Sequence, residues 1–199
     1  MFKAPLKDRV VIFIDYQNVY KVAQNYFGYQ TGAQLNVSKL ALNLMRHDSE
    51  NRHLKQIRIY SGMPSKKKQS NAYSSFRRKM RYWQSDPLVR VITRPLSYPL
   101  GWPKSSKPGE KPREKGIDVN IAIDFVTMAI RKEYEIGILF SVDTDLKPAL
   151  EFVVGNDVLA RAEVAAWRQV ADHQIRLALS SNRPFCHWLT EDDFLKLAL

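Results

Sequence analysis

Five apolar residues, Val10 to Ile14, run without interruption into Asp15, and Asn18 follows three positions later. A second apolar run, residues 136–142 (IGILFSV), ends in Asp143, Thr144 and Asp145. A third segment, residues 115–132 (KGIDVNIAIDFVTMAIRK), carries Asp118 near its start. Charged groups are costly to bury, so a carboxylate that closes an apolar strand belongs at the open edge of a sheet. Several carboxylates gathered at one edge repel, and some must hold protons at neutral pH. A divalent cation removes that cost, and all-oxygen ligation favours Mg2+ or Mn2+ over zinc or copper. Such a cation beside a basic surface suits hydrolysis of a phosphodiester: it polarises the phosphate while the basic groups hold the backbone.

Each acid also has a plainer role. Asp118 in a first helical turn complements the helix dipole, and Asp145 suits a cap ahead of Leu146. Asp124, nearly two turns into the same helix as Asp118, reads as structural. Glu191, Asp192 and Asp193 go with Thr190 as a helix cap and are left out of the site. It is the arrival of Asp15, Asp118, Asp143 and Asp145 from separate elements that favours a cation. His47, His53, His173 and His187 show no paired spacing. The single Cys186 excludes an internal disulfide and a cysteine-rich zinc site, and reads as a small buried hydrophobe.

The elements that must position these acids can be read in order. A strand over 10–15 leads to a helix over about 18–27, then a loop and a helix capped by Ser38. Residues 56–62 and 88–94 alternate as strands around a basic helix at 70–84, whose Tyr73, Phe76, Met80 and Trp83 recur at helical spacing as a core face. Ile117, Ile121, Phe125 and Met128 make the apolar face of the next helix. Residues 136–142 form a central strand, 146–154 a helix, 158–164 an outer strand, 169–179 a helix and 185–188 a short strand. Alternation of this kind implies an α/β fold with a mostly parallel central sheet and helices on both faces. Residues 1–199 read as one domain, with a basic proline-rich insertion at 95–114 and a C-terminal extension at 166–199.

The net charge of +11 is concentrated. Residues 63–115 hold fourteen Lys and Arg against three acids, which accounts for the whole excess. Lys66, Lys67, Lys68, Arg77, Arg78, Arg81, Lys104, Lys107, Lys111, Arg113 and Lys115 are the candidate nucleic-acid contacts. Interleaved aromatics add stacking surfaces for unpaired bases. No stretch has the length to cross a bilayer, and MFKAPLKDRV has no apolar signal region. A soluble, reduced, cytoplasmic protein is the expectation.

The sequence FIDYQN, followed in order by KGIDVNIAID and FSVDTD, resembles the NYN domain, a branch of the PIN-like ribonucleases that includes the LabA-like proteins. The resemblance implies a PIN-like three-layer α/β/α fold and a Mg2+- or Mn2+-dependent nuclease acting on RNA. It makes Asp15, Asp118, Asp143 and Asp145 the metal-binding and catalytic carboxylates, with Asn18 orienting the site and Lys115 contacting phosphate. Three positions depart from the family pattern: Tyr16 and Val142 stand where glycine is common, and Leu146 where phenylalanine is. The expected function is therefore a divalent-metal-dependent endoribonuclease. The alternative is an RNA- or nucleoprotein-binding module with little turnover; a phosphomonoesterase is weaker, because Asp15 has no acid two residues on. Single-stranded or structured RNA, a homodimer and a regulatory protein partner all remain open at this level.

Overall fold

The computed structural model describes residues 7–28, 34–104, 109–155, 158–169, 175–180 and 183–198. In chain order the elements are β1 (Asp8–Asp15), α1 (Tyr16–Phe27), α2 (Val37–Met45), β2 (Arg52–Met63), α3 (Ser70–Trp83), β3 (Val89–Pro95), α4 (Ile117–Ile130), β4 (Ile136–Phe140), α5 (Lys147–Gly155), β5 (Arg161–Trp167), β6 (Cys186–Leu189) and α6 (Glu191–Leu197). The strands form one sheet in the order β3-β2-β1-β4-β5-β6, and every pairing is parallel. The α/β architecture expected from the alternation of elements is the one observed.

β1 is central because both its faces are apolar. Val10, Ile12 and Ile14 pack into the core beneath α1, α2 and α6. Val11 and Phe13 pack into the core beneath α4 and α5. Side chains alternate across a strand, so an unbroken apolar run fills two layers at once. Each such side chain, fully buried, contributes about 1.5–3 kcal/mol. α4 presents Ile117, Ile121, Phe125 and Met128 to the second layer, the face its spacing predicts. On α3, Phe76 and Trp83 are buried, so this stripe is a core face.

Three details differ from the sequence reading, and a fourth adds to it. Asn36, not Ser38, caps α2: its side chain accepts from Lys39 N–H at 3.0 Å, while the Ser38 hydroxyl donates to Asp86. The strand expected to be outermost, β5, is covered by β6, which pairs with it from Val164↔Cys186 onward. A four-residue strand adds little sequence signal, yet it covers Val164 to Trp167 of β5, a strand buried beyond Arg161. Of the helix expected at 169–179, residues 170–174 lie outside the described residues and 175–179 are not helical. Finally, the proline-rich insertion is tied back to the fold. Ser97 and Arg113 form an antiparallel bridge. Tyr98 Oη accepts from Ser65 N–H and donates to Gln69 Oε1, each at 2.8 Å.

Candidate functional site

The strand order reverses at β1. β2 and β3 extend to one side, and the chain then crosses back to place β4 on the other. In doubly wound sheets ligands bind at this reversal, outside the carboxyl ends of the strands. A cleft of about 470 Å³ opens there, lined by Asp15, Asp118, Asp143, Glu114, Lys21 and Lys115. Asp15 ends β1, Asp143 follows β4, and Asp118 stands in the first turn of α4. Three of the four expected carboxylates therefore share one concavity.

Asp15 is only 5% exposed. One carboxylate oxygen caps α1 by accepting from Asn18 N–H at 3.2 Å; the other accepts from the Ser141 hydroxyl at 3.3 Å. Ser141 in turn accepts from Asp143 N–H at 3.1 Å, so the β4 exit loop is tied to the end of β1. Asn18 adds a second tie, its side-chain oxygen accepting from Val142 N–H at 3.1 Å. Burial pushes the Asp15 carboxyl up to about 7; its hydrogen bonds act downward, and the neighbouring Glu114 and Asp143 push further upward. An acid in this state is at home only when protonated or beside a cation.

Asp145 is not in the cleft lining. It is exposed, and its backbone N–H donates to Asp143 Oδ1 at 3.0 Å. Asp124 is taken up elsewhere, accepting from Arg58 at 2.6 Å and Tyr60 at 2.7 Å, and it does not line the cleft. Sequence reasoning left out Glu114 and Lys21. Glu114 accepts from Gly62 N–H and the Ser61 hydroxyl, and burial raises its carboxyl above the usual range.

The donor set suits a hard divalent cation. Among the described residues, no group of three or more His, Cys, Asp or Glu is arranged to hold a metal by itself. Mg2+ does not require such a cage: it keeps several waters and binds through one or two carboxylates. A buried, strongly raised Asp15 facing two more acids across an open cleft fits that mode.

Among the described residues, Lys66, Lys67, Lys68, Arg77, Arg78, Arg81, Lys104, Lys111, Arg113 and Lys115 are all exposed; Lys107 lies outside them. Lys115 and Gly116 also line a second concavity with Arg94 and Ser97. Ser97 joins that one to a third, lined by Tyr98, Lys111 and Arg113. The three concavities share these lining residues and lie in turn at the acids, the head of α4 and the insertion. Arg77, Arg78 and Arg81 lie on α3 and line none of these three concavities. No helix among the described residues is long and apolar enough to cross a membrane.

Fold and cleft together define a doubly wound α/β protein with an acidic site at the reversal of strand order. The NYN domain family model matches residues 9–177, and the chain belongs to that family of PIN-like nucleases. The crystal structure of a protein of unknown function from Vibrio parahaemolyticus is similar in fold, with a TM-score of 0.57 at 15% identity over 100% of both chains. No curated protein matches the chain.

Proposed function

We propose that the protein is a divalent-metal-dependent endoribonuclease. The observation that carries this reading is the meeting of Asp15, Asp118 and Asp143, from three separate elements, in one cleft at the strand reversal. These three carboxylates would hold Mg2+ or Mn2+, one or two of them directly and the rest through water. When bound, the cation supplies polarisation of the phosphoryl oxygen and stabilisation of charge on the leaving oxygen. The chain's own residues do the rest. Ser141 and the Asn18 amide hold the Asp15 carboxylate in place. Asn18 fixes the loop carrying Asp143 through Val142. Lys21 and Lys115 offset the repulsion between the acids and an incoming phosphate backbone. Arg94, Lys111 and Arg113, in the two neighbouring concavities, carry the strand beyond the cleft.

The test is a Mn2+ titration of the purified protein against structured and unstructured RNA, with Asp15→Asn and Asp143→Asn beside it. Both variants should fold and fail to cleave; undiminished cleavage by both would remove this site. That no closed three-ligand cage stands among the described residues favours one second reading, an RNA-binding module with little turnover. EDTA separates the two, since it stops a nuclease and barely weakens binding through the backbone.

A further inference from the structure

β3 is the outermost strand on one side of the sheet. α3 lies against it on one face, where Val89 and Val91 join the core beneath α1 and α2. On the other face α4 packs over β1 and β2. Side chains alternate across a strand, so Arg90, Ile92 and Arg94 share that second face. Ile92 touches the edge of the α4 core and stays partly exposed, while Arg90 and Arg94 are exposed. β3 thus forms a shelf beside α4.

The charge on this shelf is uncompensated. On β2, Arg58 stands directly beside Arg90 in the pairing register. Arg58 has its own carboxylate, Asp124, at 2.6 Å. The Arg90 side chain has no ion pair or hydrogen bond among the described residues. Like charges side by side on a sheet are destabilising, so folding alone does not favour this placement. Arg94 reaches Asn120 Oδ1 at 3.4 Å, an uncharged partner. It also lies over Gly116, where an added β-carbon would stand 3.4 Å from Arg94 Nε. Gly116 and Lys115 line both the acid cleft and the concavity that holds Arg94, so the shelf adjoins the cleft. Four residues along a strand separate Arg90 from Arg94 by about 13 Å. They therefore suit separate phosphates of one chain better than a single small anion. None of Arg90, Ile92 and Arg94 offers a ring to stack on a base, so the contact is with the backbone.

We propose that this shelf is a second RNA surface. It holds the backbone of a chain that extends past the cleft, with Arg94 at the junction and Arg90 as the far contact. The proposal rests on reading the cleft as the site of an RNA nuclease. It competes with a simpler role, in which the arginines only keep the open edge of β3 from pairing with another chain.

The experiment measures binding of labelled oligouridine, about 4 and about 20 nucleotides long, to the full chain in EDTA across a salt series. Arg90→Gln, Arg94→Gln and Lys115→Gln are compared with the wild type and with Arg46→Gln, an exposed arginine at the end of α2. Arg90→Gln relieves repulsion beside Arg58, so its urea midpoint should equal or exceed that of the wild type. On the long chain, Arg90→Gln and Arg94→Gln should each weaken binding about fivefold at about 0.1 M salt and reduce the salt slope by about 0.7. Oligoadenine should show the same losses. On the short chain Arg90→Gln should match the wild type, while Lys115→Gln weakens both lengths. Long-chain binding by Arg90→Gln equal to that of Arg46→Gln, with Lys115→Gln weakened, would overturn the shelf and leave the cleft reading intact. Arginine variants that self-associate in sedimentation, yet bind RNA as the wild type does, would assign them to guarding the edge and overturn it equally. A wild type that binds neither length would overturn both readings.

Discussion

Two buried carboxylates, Asp15 and Glu163, are almost equally hidden, at 5% and 6% exposure, yet they sit in opposite electrostatic settings. Glu163 on β5 accepts from both terminal nitrogens of Arg52, at 2.9 and 2.8 Å, and lies 2.7 Å from His187 Nε2. Burial works upward on it, but the His187 and Arg52 contacts outweigh burial and hold its carboxyl at about 2. Asp15 receives one amide and one hydroxyl, faces further acids, and is pushed up to about 7. Burial alone does not mark a site. What separates scaffold from site is whether the fold supplies the countercharge or leaves room for one to arrive.

The sharpest way to break this contrast is to neutralise each acid in turn. Asp15→Asn should lower Mn2+-dependent RNA cleavage on the order of a thousandfold, about 4 kcal/mol of transition-state stabilisation, with no loss in the urea midpoint. Glu163→Gln should do the reverse. It leaves Arg52 buried without its partner, so stability should drop by about 3 kcal/mol or more, while cleavage by the folded fraction stays near wild type. If Glu163→Gln abolished cleavage at full stability, the division between the two regions would be wrong.

One side of this contrast was legible in the sequence. The unbroken runs ending at Asp15 and Asp143 suit strands buried on both faces, whose terminal acids belong at the sheet's open edge. The countercharge on Glu163 was not legible, because Arg52 and His187 are far from it in sequence and meet it only across the sheet. Glu114 was hidden for a related reason. It sits among lysines in the proline-rich insertion, and its partner Gly62 lies 52 residues away on another strand. The one available signal was a glycine near the carboxyl end of β2, where a strand residue with a side chain would be expected. Asp145 shows the converse: a good motif position that the 3-10 turn after β4 leaves exposed and outside the cleft lining.

The same contrast predicts pH slopes of opposite sign. Asp15 binds its proton more tightly folded than unfolded, so its ionisation takes stability away as pH rises from about 4 to about 7. Glu163 binds its proton less tightly folded, so its contribution is present above about pH 4.5 and is lost as pH falls toward about 2, roughly 3 kcal/mol in all. Urea unfolding from pH 2 to 8 reads both. Asp15→Asn should flatten the neutral arm and Glu163→Gln the acid arm. Saturating Mn2+ should lift the neutral arm of the wild type, because a bound cation favours the ionised Asp15.

The smallest expected effect is at Asp145, and it bears on how narrowly the site is drawn. Its side chain is exposed and outside the cleft lining, whereas its backbone N–H holds Asp143 Oδ1 at 3.0 Å. That backbone contact survives any side-chain change. Asp145→Asn should therefore alter cleavage by no more than about threefold, less than 1 kcal/mol, with Mn2+ affinity unchanged. Asp143→Asn should fall with Asp15→Asn. A loss beyond about tenfold in Asp145→Asn would mean that the turn after β4 swings Asp145 inward when the cation binds. The cleft would then hold five acids, and the boundary between satisfied and waiting carboxylates would have to be redrawn around a moving loop.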